Sequence, residues 1–103
     1  MSVIMEFAMF PTDKGDSVSQ YVSRIIKMIS ESGASYQLTA MGTLIETDTM
    51  EQALEILVKA HNELAVDSNR IYSSVKFDIR KDKKRRMEQK IESIESKIGK
   101  VNK

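Results

Sequence analysis

The chain has 103 residues, 41% hydrophobic and 30% charged, which suits one domain with a modest core. It contains no cysteine, which excludes disulfides, thiolate metal sites and a cysteine nucleophile, and no apolar run approaches the length needed to span a membrane. Net charge is only +1, yet Arg80–Lys103 carries ten Lys and Arg against four Asp and Glu, so an acidic domain precedes a basic tail.

Met1–Glu6 lacks a basic opening and meets a carboxylate too early for a signal peptide, so a cytoplasmic protein is expected. Val3 to Phe10 reads as a strand, with Val3, Met5, Phe7 and Met9 on one face and Ile4, Glu6, Ala8 and Phe10 on the other. Pro11 ends it. After a polar turn around Gly15, Asp16 or Ser17 is expected to cap a helix from Val18 to about Ser32, with Val18, Tyr21, Val22, Ile25, Ile26 and Ile29 at helical spacing. Gly33 suits the position just past its end. Two short β-rich runs follow, Tyr36–Thr39 and Thr43–Glu46, around Ala40-Met41-Gly42, a hairpin in which Gly42 is expected to supply a positive φ.

Thr49-Met50-Glu51-Gln52 matches a capping box, and a second helix is expected to about Val66. Its apolar stripe is Met50, Ala53, Leu54, Leu57, Ala60, His61 and Leu64. Arg70 to Arg80 alternates as a long strand, with Ile71, Ser73, Val75, Phe77 and Ile79 against Tyr72, Ser74, Lys76, Asp78 and Arg80. The order β-α-β-β-α-β, with right-handed crossovers, predicts an α+β, ferredoxin-like sandwich built on a four-stranded antiparallel sheet. The expected division is a domain over 1–80 and a basic C-terminal helix over 81–103.

Two helices cover one sheet face. The other would carry Ile4, Ala8, Phe10 and Tyr72 among Glu6, Ser74, Lys76 and Asp78, which points to burial by another subunit; scattered apolar residues on an ordinary surface are the alternative. In the tail a helix is expected from about Asp82 to Ile98, with Asp82 the candidate cap. Met87, Ile91, Ile94, Ile98 and Val101 form an a/d seam flanked by Lys90, Lys97, Glu88 and Glu95, arranged to favour a parallel pair. Two heptads interrupted by Gly99 cannot hold a dimer alone, so Ile91, Ile94 and Ile98 are expected to dock on a protein surface.

Catalytic chemistry finds no support. His61 is the only histidine and is expected to be packed; no nucleophile elbow, phosphate loop or metal motif is present. The run RKDKKRR, Arg80 to Arg86, lacks interleaved aromatic residues, so it reads as a solvated or salt-bridged helix start, and a nucleic-acid partner is not expected.

Pro11, the helix start at Ser17–Val22, Gly33, and Met41-Gly42-Thr43 followed by Glu46 occur in an order and spacing that carry a resemblance. From about Val3 to Lys84 the chain resembles the small ferredoxin-like family whose members bind thiamine. The resemblance implies non-enzymatic binding of thiamine or its hydroxymethylpyrimidine moiety by a homo-oligomer, dimer or tetramer, without cofactor or metal. The alternative is a structural or regulatory module whose basic tail contacts another macromolecule.

Thiamine is a cation bearing an aminopyrimidine, so its site needs a carboxylate, hydroxyl or carbonyl acceptors and an aromatic wall. Glu6, Thr39, Thr43 and Ser74, with Phe10 or Tyr36, are the candidates. Glu6 admits two readings: a charge balanced by Lys76 on the neighbouring strand, or a carboxylate facing the ligand. Glu46 matches the end of the family's MGTxxE pattern, or else lies at a strand end in solvent. Thr47-Asp48 follow it where relatives commonly have a glycine, so the turn there is expected to differ.

Overall fold

The computed structural model describes residues 1–103. In chain order it contains β1 (Ser2–Pro11), α1 (Ser19–Glu31), β2 (Ser35–Thr39), β3 (Gly42–Thr47), α2 (Met50–Ala65), β4 (Ile71–Arg80) and α3 (Arg86–Ile98). The four strands form one sheet in the order β2-β3-β1-β4, with every neighbouring pair antiparallel. This is the ferredoxin-like α+β arrangement, with α3 added after the last strand.

Register follows from the side-chain alternation of β1. Val3 lies opposite Thr47 and Ile79, and Glu6 opposite Leu44 and Lys76. Val3, Met5, Phe7 and Met9 therefore share the face beneath the helices, where they meet Ile25 and Ile29 of α1, Ile45 of β3, and Ala53, Ile56, Ala60 and Leu64 of α2. Burying each large side chain here contributes about 1.5–3 kcal/mol.

The helix faces differ from expectation in part. Ile25 and Ile29 are the buried residues of α1, but neither Asp16 nor Ser17 caps it. The helix starts after Val18, whose carbonyl accepts from the amides of Tyr21 and Val22, so both candidate caps lie too far upstream. Gly33, with φ +83°, follows the C-cap Ser32 as expected. In α2 the capping box forms: the Thr49 hydroxyl accepts from the Gln52 amide, and the Gln52 side chain accepts from the Thr49 amide. Its buried face is Ala53, Ile56, Ala60 and Leu64, with Met50 and Leu57 packed beside it, so the expected stripe holds except that Ile56 joins it while Leu54 is 43% exposed and His61 is exposed beside Asn62. Leu54 and His61 each stand one residue, about 100° of helix, off the row that meets the sheet.

On β4 the helical layer reaches Ile71 and Val75 but not Phe77 and Ile79, which stay 37% and 47% exposed on the helix side. The other sheet face is open over most of its area. Ile4 is covered at one end, Phe10 and Tyr72 pair their rings at 5.6 Å at the other, and Leu44, which the strand alternation of β1 and β4 did not include, joins them from β3.

α3 begins at Arg86 rather than Asp82. Asp82 forms an ion pair with Arg80, and Arg85 stands at the N-cap in the left-handed region, φ 54°. Met87, Ile91 and Val101 are partly buried, while Ile94 and Ile98 remain exposed, so the seam is only partly covered within its own chain. No helix is long and apolar enough to cross a membrane.

Candidate functional site

Two concave surfaces flank the Phe7–Phe10 segment of β1, one on each side of the sheet. On the open face a cleft of about 390 Å³ is lined by Glu6, Ala8, Phe10, Met41, Ser74 and Lys76, together with Phe7. On the helix side an apolar cavity of about 280 Å³ lies between α1 and the hairpin; Phe7, Phe10, Ile25, Leu38, Thr39, Met41 and Thr43 are among its walls. The two share Phe7, Ala8, Phe10 and Met41, so they adjoin around the hairpin tip.

The sequence candidates divide accordingly. Glu6, Phe10 and Ser74 meet in the open cleft, while Thr39, Thr43 and again Phe10 line the apolar cavity. Tyr36 and Glu46 line neither. Tyr36 lies opposite Ile45 on the edge strand, 40% exposed on the helix side.

Glu6 has one cation near it, the Lys76 ammonium 3.9 Å away, with the Glu6 side chain 44% and the Lys76 side chain 78% exposed. That is longer than a hydrogen bond, and exposed pairs of this kind are worth little. The Glu6 carboxylate thus shares its sheet face and cleft with Ser74, which lies opposite Ala8, and with Phe10 four residues further along β1, and it is not committed to a structural partner.

The hairpin tip is built differently from the expectation. β2 and β3 are joined by the two residues Ala40 and Met41, and neither these nor Gly42 has a positive φ. The Thr39 hydroxyl holds the turn, donating to the Gly42 carbonyl at 2.7 Å and accepting from the Met41 amide at 3.3 Å. Gly42 is needed for a different reason: a Cβ there would meet the Phe7 carbonyl oxygen at 2.9 Å. The missing side chain lets β3 approach β1 beside both clefts and leaves Met41, 87% exposed, standing over them.

Glu46 performs a task that no local sequence signal announces. Its carboxylate accepts from the Ser2 hydroxyl and from the backbone amides of Arg86 and Met87, at 2.8 and 3.0 Å. It therefore caps α3 from another strand, satisfying first-turn amides that have no side-chain cap of their own. Burial works to raise the Glu46 pKa, but the Ser2 hydroxyl, the two amides and the Arg86 charge outweigh it and hold the carboxyl below its ordinary value.

Arg86, only 2% exposed, completes the joint. It donates to the Ser2 hydroxyl at 2.9 Å and to the carbonyls of Ser2 and Asp78, and it pairs with the Asp78 carboxylate at 3.0 Å. This residue sits in the charge run that reads as a solvated or salt-bridged helix start, and its pairing with Asp78 is the salt-bridged alternative. The other two arginines of the run are also engaged, Arg80 with Asp82 and Arg85 with Glu88. No cluster of three or more metal-ligating side chains is present.

The fold and the placed carboxylate define a small ferredoxin-like protein with a ligand-sized corner where the first strand meets the hairpin. Residues 5–95 match the family model of the thiamine-binding proteins, and the chain belongs to that family. It is 36% identical over 92 residues to a UPF0045 protein of Methanocaldococcus jannaschii, covering 89% of this chain and 91% of that one. A UPF0045 protein of Synechocystis is 37% identical over 98 residues, 93% of this chain and 79% of the relative. The crystal structure of the Methanocaldococcus protein superposes with a TM-score of 0.81 at 35% identity, covering 90% of this chain and 95% of the other. A Thermotoga maritima crystal structure, of a protein named for thiamine biosynthesis or salvage, shares the fold with a TM-score of 0.78 at 17% identity, covering 91% and 99%.

Proposed function

We propose that this protein binds thiamine, or the hydroxymethylpyrimidine part of it, in the cytoplasm as a homo-oligomer and performs no chemistry on it. The observation that carries the reading is the open-face cleft, in which one uncommitted carboxylate, Glu6, stands with a hydroxyl, Ser74, and an aromatic wall, Phe10. Glu6 balances the ligand's positive charge, Ser74 offers a hydrogen bond, and Phe10 stacks on a ring. The adjoining apolar cavity, edged by Thr39 and Thr43, accepts the part of the ligand that is not charged. Family membership supports the ligand class.

Neither Tyr36 nor Glu46 belongs to this site. Glu46 serves it indirectly, by fixing α3 against the same sheet face. In the basic run the three arginines are paired within the chain while Lys81, Lys83 and Lys84 are in no ion pair, so a macromolecular role for the tail, the second reading, would rest on those lysines. Equilibrium dialysis of the full chain against labelled thiamine should show saturable binding. Retention no greater than that of a chain without a thiamine site would overturn the reading.

A further inference from the structure

The chain leaves two apolar surfaces uncovered. One is the distal seam of α3, where Ile94 is 48% and Ile98 73% exposed. The other is the open sheet face beyond the root of α3, where Tyr72 is 57% exposed beside Phe10 and the Glu6 cleft. We propose that α3 of one copy seats its Ile94 and Ile98 on the open sheet face of a second copy and forms the roof of that copy's Glu6 cleft. The site is then complete only in the assembly.

The root of α3 is the first support. Glu46 caps the helix, buried Arg86 pins it to Ser2 and Asp78, and Lys90 pairs with Asp78 at 3.4 Å. Beyond Lys90 no hydrogen bond or ion pair joins α3 to the body of the chain; Glu95 bonds only to Val101 and Lys103 of its own tail, besides the helix ladder. The helix is an arm with a fixed base and an apolar end.

Pairing of α3 with another α3 fits the side chains poorly. Three of the four charges that would flank such a seam are occupied within the chain: Glu88 by Arg85, Lys90 by Asp78 and Glu95 by Lys103. The helix also ends at Gly99, φ 87°, after fewer turns than an isolated coiled coil needs.

Charge complementarity favours the sheet face instead. Lys97, in the last turn of α3 between Ile94 and Ile98, forms no ion pair in the chain, and Glu6 has only its loose contact with Lys76. Seating the arm brings the partner's ammonium to the Glu6 side of the cleft. A cationic ligand then enters by exchange for that ammonium, which keeps the cleft close to neutral whether empty or filled. A two-fold exchange buries two helices and two sheet faces at once, the route by which a chain this small reaches the roughly 800 Å² per partner of a stable interface.

The role of the roof rests on the thiamine reading of the cleft, but the seating of the arm is testable without ligand. Because the chain has no cysteine, single cysteines report contacts cleanly. Full-length Ile98→Cys and Ser74→Cys chains, differently tagged and co-expressed, should give under mild oxidation a disulfide joining one chain of each kind. A link between two Ile98→Cys chains alone would show α3 pairing with α3 and overturn the proposal. So would the absence of a mixed link both here and with Ile94→Cys and Tyr72→Cys, in chains whose melting matches the parent. For the roof, Ile98→Asp should lower thiamine affinity at least tenfold. Unchanged affinity in an Ile98→Asp chain that light scattering shows to be monomeric would overturn the composite site while leaving ligand binding intact.

Discussion

At Gly42 a Cβ would stand 2.9 Å from the Phe7 carbonyl oxygen, and the neighbour that must yield is backbone. Gly42→Ala therefore introduces crowding rather than torsional strain, with an expected loss of about 1–3 kcal/mol, read as a lower urea midpoint. An unchanged midpoint would show that β1 and β3 can separate at no cost. Glu46 gives a pH signature. Burial raises its pKa, but the Ser2 hydroxyl, the Arg86 and Met87 amides and the Arg86 charge outweigh that and hold the carboxyl below its ordinary 4.5. A depressed carboxylate adds stability that is present in full above the ordinary value and is lost as pH falls through the folded one. Asp78, held down first by its hydrogen bond from Arg86, acts in the same direction. The root of α3 should accordingly loosen as pH falls below 4.5, with the amides of Arg86 and Met87 losing protection from hydrogen exchange beyond the intrinsic pH dependence. Equal protection factors at pH 6 and pH 3 would contradict this role for Glu46.

Among the elements, those specified by neighbours in sequence were the legible ones. The capping box of α2 sits within four residues, and both of its hydrogen bonds form. Thr49→Ala should cost about 1 kcal/mol of stability, measured by chemical denaturation, and Thr49→Ser should recover most of it. The element order and the inward face of β1 were likewise legible from period alone. What sequence reading missed depends on distant parts of the chain. The buried row of α2 is set by how the helix lies on the sheet, so Ile56 replaces Leu54 and His61 on the core side. The start of α3 is set by Glu46, forty residues upstream, and not by nearby Asp82. Of the candidate site, Glu6, Phe10 and Ser74 come together because strand alternation and the β1–β4 register put them on one face. Thr43 lies opposite Phe7 and so faces the helix side, and Thr39, opposite Gly42 at the hairpin tip, borders the same cavity. Tyr36, the alternative to Phe10 for the aromatic wall, and Glu46, reached through the family pattern, lie outside both clefts.

For the molecule as a whole, an acidic body ends in a basic segment, Arg80–Lys103, whose helix is joined at its root to that body by charge. Exposed Tyr72, Ile94 and Ile98 make a lone chain a poor resting state in water. Light scattering at micromolar concentration should give a mass well above the 11.7 kDa of one chain, and a mass near that value would contradict the assembly. The central claim is that a single carboxylate on the open sheet face selects a cationic two-ring ligand, and calorimetric titration of Glu6→Gln beside the parent chain tests it most directly. The substitution keeps shape and removes charge, so thiamine affinity should fall by about 1–3 kcal/mol, roughly 5- to 150-fold, while affinity for the uncharged hydroxymethylpyrimidine stays near that of the parent. Equal thiamine affinity in the two proteins, both folded, would contradict the claim and return Glu6 to its loose pairing with Lys76.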